Sequence, residues 1–62
     1  MQNHIAEWRA KKGLSQTRLA KMLFVYREQL AAWEGDTTVP RLEIVLEMAR
    51  LLECRVEDLF TL

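Results

Sequence analysis

The stretch that decides the fold is residues 14–34, LSQTRLAKMLFVYREQLAAWE. Its first part predicts a short helix over residues 16–23, because Ser15 is a favourable N-terminal cap. Its last part predicts a second helix over residues 27–34. The apolar side chains expected in the core recur at helical spacing: Leu19, Ala20, Leu23, Leu30 and Trp33. Only residues 24–26 separate the two helices, which predicts that they meet at a steep angle.

Three further helical segments flank this pair. The first is predicted over residues 3–12, with Asn3 as its cap and Gly13 as its C-terminal stop. A polar loop follows the central pair, and then come a fourth helix over residues 42–52 and a short fifth helix over residues 56–60. Five helices in 62 residues predict an all-α fold.

The fourth helix is apolar on two faces. One stripe is expected to pack on the core and consists of Leu42, Val45, Leu46, Ala49 and Leu52. The other consists of Ile44, Met48 and Leu51. Two apolar faces are more than a small monomer usually exposes, so the second stripe is predicted to be a partner surface.

The size and composition of the chain exclude several classes of protein. A chain of 62 residues and 7.3 kDa has room for one domain, residues 1–62, but not for both a core and a deep catalytic cleft. One Cys and one His supply neither a disulfide framework nor a four-ligand zinc site. His4 is poorly placed to activate Ser15 or Cys54, so we expect no enzyme, no cofactor and no metal. With no leader and no membrane-spanning run, the chain is expected to be cytoplasmic, with no membrane partner.

The charge of the chain is zero overall but unevenly distributed. Residues 1–27 hold six Lys and Arg against one Glu, whereas residues 28–62 hold three Arg against eight acidic residues. Such asymmetry is typical of a protein with a polyanionic partner. The alternative is a chance clustering of solvated surface charges, and the asymmetry alone does not choose between the two.

Two short helices joined by a three-residue turn in a basic half of the chain are typical of a helix-turn-helix. The sequence resembles the Cro and phage-repressor family, also called the xenobiotic response element family, from about Ile5 to Phe60. The residues that carry the resemblance are Leu14, Ser15, Gln16, Leu19, Ala20, Leu23, Val25, Arg27, Leu30, Ala32, Trp33, Glu34, Pro40, Leu42, Ala49, Leu51, Leu52, Val56, Asp58, Leu59 and Phe60. It implies a compact five-helix, lambda-repressor-like DNA-binding domain with its helix-turn-helix over about residues 16–34.

The resemblance also implies that the third helix enters the major groove of double-stranded DNA. Arg27, Glu28, Gln29 and Ala32 match the family positions that face base edges. Their chemistry suits guanine, cytosine, adenine and the thymine methyl group, respectively. For Glu28, pairing with Arg27 or another cation on the protein surface is an equal alternative.

A second set of residues is expected to contact the DNA backbone: Gln16, Arg18, Lys21, Tyr26 and Arg41. Gln16 matches a backbone-contacting Gln of the family and lies at a helix N-terminus, where free N–H groups favour a phosphate. Arg18 opposes the dipole of the same helix, and a phosphate there would turn that cost into a gain. Its alternative is a side chain that simply reaches into solvent.

The resemblance implies a homodimer, which would also compensate for a marginal core. The expected interface consists of Ile44, Met48, Leu51, Phe60 and Leu62. The resulting prediction is a sequence-specific homodimeric transcriptional regulator, most simply a repressor that occupies its operator.

The sequence departs from the family at several positions, which supports an alternative function. Phe24 stands where Gly is usual, and a bulky residue at positive φ is costly. Tyr26, Arg41 and Arg55 stand where a capping Ser is common, and none of them can cap its helix as Ser does. The alternative is a protein-interaction module or an antitoxin on the same scaffold, with weak or lost DNA binding.

Overall fold

The computed structural model describes residues 2–61 and confirms the all-α fold class. Five helices account for most of these residues, and a two-stranded sheet joins the ends of the chain. The elements in chain order are β1 (Gln2–Asn3), α1 (Ile5–Lys11), α2 (Gln16–Leu23), α3 (Arg27–Glu34), α4 (Leu42–Leu52), α5 (Val56–Leu59) and β2 (Phe60–Thr61). The predicted bounds of α2, α3 and α4 agree with the structure. In residues 2–61, no helix is long and apolar enough to cross a membrane.

One apolar cluster draws on all five helices. Its buried members are Ile5, Leu19, Ala20, Leu23, Leu30, Trp33, Met48, Ala49, Leu52 and Leu59. Trp8 and Leu14 are partly buried against it. Because every helix contributes to this cluster, the orientation of α2 and α3 is fixed by the same packing that holds the domain together.

The structure corrects the predicted faces of α4. Met48 is completely buried, whereas Leu42 and Leu46 are 65% and 53% exposed. Met48 therefore cannot lie on an exposed partner surface. The prediction that Leu42 and Leu46 pack in the core was also wrong. The buried arc of α4 is formed by Val45, Met48, Ala49 and Leu52.

The other expected interface residues are less exposed than predicted. Ile44, Leu51 and Phe60 are partly buried against the core. Leu62 lies outside the described residues.

The helix N-termini are capped unequally. The Ser15 hydroxyl accepts a hydrogen bond from Arg18 N at 3.0 Å, which confirms the predicted cap of α2. Tyr26 and Arg41 make no side-chain cap, as predicted. At α5, the Asp58 carboxylate instead accepts from the Arg55 backbone N–H at 2.9 Å and satisfies one free donor.

The chain ends pair in a way that the sequence did not predict. β1 and β2 are antiparallel, with Asn3 opposite Phe60. His4 N donates to Leu59 O at 2.7 Å. His4, rather than the predicted Asn3, is the N-terminal cap residue of α1, while Asn3 Oδ1 accepts from Ile5 N at 3.2 Å. Two-residue strands are too short to show an alternating pattern in the sequence.

Candidate nucleic-acid interface

The connection between α2 and α3 is a tight turn of three residues, as the sequence predicts. α2 ends at Leu23, and the next residue, Phe24, caps it with left-handed backbone angles of φ 59° and ψ 41°. Val25 N then donates to Ala20 O at 3.0 Å and closes the helix end. Tyr26 is extended, with φ −76° and ψ 147°, and α3 begins at Arg27. This geometry turns the chain sharply and directs the start of α3 outward.

α3 has one buried face and one exposed face. Leu30 and Trp33 are buried, and they hold the helix on the core. Arg27, Glu28 and Gln29 are exposed, whereas Ala32 is only partly exposed. The structure therefore brings the four predicted base-reading residues to the side of α3 that the core leaves accessible.

A hydrogen-bond network beneath this face joins α1, α2 and α3. Arg9 Nε donates to Glu34 Oε2 at 2.9 Å and Arg9 Nη2 to Glu34 Oε1 at 3.2 Å. The two side chains are only 18% and 8% exposed. Gln16 Nε2 donates to Glu34 Oε1 at 2.9 Å, and Arg27 Nη1 donates to Gln16 Oε1 at 3.3 Å. A base-reading residue and a backbone-contacting residue of the prediction are thus tied to a largely buried ion pair.

Arg9 and its role in this network were not predicted from the sequence. Arg9 Nη1 also donates to Leu14 O at 2.9 Å, so the guanidinium connects α1 to the segment that precedes α2. Arg9 and Glu34 lie 25 positions apart, and no local pattern relates them. The sequence offered only a weak signal: Glu34 is one of two acidic residues, with Glu28, in a helix pair that carries three cations.

The remaining cations divide into paired and unpaired groups. Lys12 and Arg50 form ion pairs with Glu53 and Glu47, and Lys11 lies 4.1 Å from the centroid of the Trp8 ring. Within residues 2–61, four cationic side chains make no ion pair, hydrogen bond or cation–π contact: Arg18, Lys21, Arg41 and Arg55. Three of these four are predicted backbone-contacting residues, and all three are exposed.

Glu28 also has no partner in the described part of the chain. The Arg27 guanidinium is bonded to Gln16 rather than to Glu28. The alternative in which Glu28 is neutralised by Arg27 is therefore not observed, and its carboxylate is free on the exposed face of α3.

An open groove runs between the turn and the start of α4. It encloses about 560 Å³ and is lined by Lys21, Phe24, Val25, Tyr26, Gln29 and Arg41. Four of these six are predicted DNA-contacting residues, so the structure gathers side chains that are up to 20 positions apart. Both aromatic side chains at the turn are exposed, Phe24 to 94% and Tyr26 to 80%.

Two short helices, the sharp turn between them and the exposed face of the second helix together define a helix-turn-helix domain. The chain belongs to the helix-turn-helix family, since the family model of that description matches residues 5–59. This match confirms the resemblance to the Cro and phage-repressor family.

The chain is also similar over nearly its whole length to proteins from archaea and bacteria. It is 40% identical over 60 residues to an uncharacterized HTH-type transcriptional regulator of Archaeoglobus fulgidus, which covers 97% of this chain and 86% of the relative. It is 36% identical over 62 residues to the uncharacterized HTH-type transcriptional regulator YgzD of Bacillus subtilis, covering 100% of this chain and 94% of the relative. Both relatives are therefore little longer than this domain.

Proposed function

We propose that this protein is a sequence-specific, double-stranded DNA-binding transcriptional regulator. The observation that carries the proposal is the exposed face of α3, whose Gln29 lines one groove with two unpaired cations, Lys21 and Arg41. A third unpaired cation, Arg18, is exposed on α2. Unpaired cations on a surface gain most from a polyanion, because releasing condensed counterions from DNA favours binding. The names of the relatives, HTH-type transcriptional regulators, support the same function.

Base recognition is assigned to the exposed side chains of α3. Arg27 can donate two hydrogen bonds to guanine O6 and N7, because only one of its five N–H groups is used by Gln16. Gln29 can pair with adenine N6 and N7, and Glu28 can accept from cytosine N4. Ala32 is small enough to admit a thymine methyl group. The free carboxylate of Glu28 also repels phosphate, which weakens non-specific binding.

Backbone contacts are assigned to residues around that face. Gln16 uses one amide N–H on Glu34, which leaves the second for a phosphate. Arg18, Lys21 and Arg41 supply free positive charge. Tyr26 contributes its hydroxyl from an 80% exposed ring at the start of α3.

We further propose a homodimer whose interface is centred on the exposed side of α4. Leu42 and Leu46 are more than half exposed, and they adjoin a groove lined by Val39, Pro40, Leu42, Val45, Val56 and Phe60. This groove retains Phe60 from the expected interface, whereas Ile44 and Leu51 do not line it. An apolar patch of this kind on so small a domain is typical of a self-association surface. Two copies would present two α3 helices to one side of a duplex, and the regulator would then repress by occupying its operator.

A second candidate function is supported by the turn. Phe24 and Tyr26 are the most exposed large apolar side chains among residues 2–61. Exposed aromatic residues are typical of protein-binding surfaces, so a protein-interaction module or antitoxin is the alternative.

Selection from a random duplex library at two salt concentrations tests the proposal. We expect an enriched palindrome with half-sites about one helical turn apart, and binding that weakens steeply with salt. Arg27→Ala should lose a guanine preference at one position of each half-site. Lys21→Ala should instead weaken all sequences equally and lower the salt slope by about 0.9 for each bound protomer. Absence of any enriched sequence at low salt would overturn the proposal and favour the protein-interaction module.

A further inference from the structure

Three residues other than Gly have left-handed backbone angles within residues 2–61. Phe24, Asp36 and Glu53 have φ values of 59°, 61° and 56°. This conformation is unfavourable for any side chain with a Cβ and most unfavourable for a bulky one. Residues with strained backbone angles are frequent at functional sites, where interactions elsewhere in the protein offset the strain energy.

Two of the three side chains have partners inside the domain. Asp36 Oδ1 accepts a hydrogen bond from Asn3 Nδ2 at 2.9 Å, and Glu53 Oε1 accepts from Lys12 Nζ at 2.6 Å. Phe24 is different, because its ring is 94% exposed and has no polar atom to bond. The fold therefore bears the backbone strain of Phe24 and gains almost no burial from the side chain.

The surroundings of Phe24 indicate what its ring contacts. It lines the groove between the turn and α4 together with Tyr26 and two cations, Lys21 and Arg41. Among residues 2–61, no carboxylate lines this groove. A surface that combines apolar rings with unpaired positive charge complements a chain in which apolar units alternate with anionic ones, as deoxyribose and phosphate do in DNA.

We propose that Phe24 is a DNA-contacting residue whose ring packs on a deoxyribose of the bound duplex. The adjoining phosphates are held by Lys21 and Arg41, and the strand follows the groove toward the start of α3 at Arg27. The contact is to the backbone, so it strengthens binding to every sequence by a similar factor. This inference rests on the proposed function, since it names a further part of the same DNA-binding surface.

Replacement by Gly separates this function from a structural role. Phe24→Gly relieves the backbone strain, so its midpoint of thermal unfolding should rise. The same variant loses the apolar contact, so its dissociation constant for a fluorescently labelled random-sequence duplex at low salt should increase about tenfold. If the Phe24 side chain instead stabilised the fold, Phe24→Gly would lower the unfolding midpoint as well as weaken DNA binding.

Two further variants at the same position sharpen the result. Phe24→Asn tolerates the left-handed conformation but lacks the ring, so it should bind as weakly as Phe24→Gly. Phe24→Tyr keeps the ring and should bind within about twofold of the parent. The dependence of affinity on salt should be unchanged in all three, whereas Lys21→Ala should reduce its slope by about 0.9 for each bound protomer.

The outcomes distinguish this inference from the proposed function. If the parent protein binds no duplex at low salt, both are overturned. If the parent binds and Phe24→Gly binds equally well, only the role of Phe24 is overturned, and the ring faces a partner other than DNA. A lower unfolding midpoint for Phe24→Gly, or a loss confined to one base sequence, would also overturn it.

Discussion

Helices α3 and α4 differ in how far their sequences determine which face is buried. α3 carries two large apolar residues, Leu30 and Trp33, three positions apart, and both are buried as predicted. α4 carries eight apolar residues among eleven, and its predicted faces were wrong at Met48, Leu42 and Leu46. A helix with one apolar stripe has one way to face a core, whereas a helix that is apolar on most sides has several. The neighbouring helices then select among them.

The largest expected effect tests the buried side of α4. Met48→Glu would place a carboxylate in a fully buried position and should cost at least about 4 kcal/mol in free energy of unfolding. That is comparable to the total stability expected for a domain of this size, about 3–9 kcal/mol, so the variant should be largely unfolded. Circular dichroism during thermal unfolding measures the loss.

Leu46→Glu, on the exposed side of the same helix, is the matched control. It should change the free energy of unfolding by less than about 0.5 kcal/mol. On the proposed interface it should also convert a dimer to a folded monomer in sedimentation. A stable Met48→Glu variant, or a Leu46→Glu variant that remains dimeric, would contradict the assignment of the two sides.

The next largest effect concerns the network beneath α3. Glu34→Ala removes the acceptor of both Arg9 and Gln16 and leaves a largely buried guanidinium without its partner. It should destabilise the domain by about 2–3 kcal/mol in chemical denaturation. Glu28→Ala, on the exposed side of the same helix, is the control and should stay within about 0.5 kcal/mol of the parent. Equal losses in the two variants would mean that the network adds nothing to stability.

An intermediate effect contrasts the N-termini of α2 and α3. Ser15→Ala removes a cap whose hydrogen bond is 3.0 Å long and should cost about 1 kcal/mol. Tyr26→Ser supplies a cap that α3 lacks and should stabilise the domain by about the same amount. The second variant should nevertheless bind DNA more weakly, since Tyr26 is proposed to contact the backbone. Thermal unfolding and duplex titration of both variants test this contrast, and a destabilised Tyr26→Ser would refute it.

The smallest expected effect is pH-dependent and concerns the end of α4. The hydrogen bond and charge of Lys12 lower the pKa of Glu53 below its ordinary value. A lowered pKa in the folded state means that the ion pair stabilises the fold above the ordinary pKa and that this contribution is lost as pH falls through the folded value. Glu53→Gln should therefore unfold at a slightly lower temperature than the parent at pH 7, and the difference should vanish once the pH falls below the folded-state pKa of Glu53.

Lys12→Gln provides the control for that pH dependence. It should reproduce the small loss at neutral pH, and the double variant should lose no more than either single variant. Additive losses would show that the two side chains act independently, despite the 2.6 Å distance between Lys12 Nζ and Glu53 Oε1.

Sequence patterns predicted much of the fold but little of its long-range bonding. The bounds of α2 and α3 followed from Ser15, the apolar spacing and the short turn, all of which are local. The backbone angles of Phe24 were left open by the sequence, because Phe stands where the family usually has Gly and a bulky residue at positive φ is costly; the structure places it at φ 59°. The pairing of Asn3 with Phe60 and the bond from Arg9 to Glu34 join distant positions and leave no periodic signal. The DNA-contacting residues remain a prediction that binding measurements must test.

By itself, the sequence determined the number of helices, the helix-turn-helix and the residues available on α3, because capping, turn length and the spacing of apolar residues act between near neighbours. Only the tertiary structure decided which side of α4 is buried and which cations are paired. It also revealed that Phe24 is strained without being buried. Each of these depends on contacts between side chains that are distant in sequence, and those contacts form only when the five helices pack together around one small core.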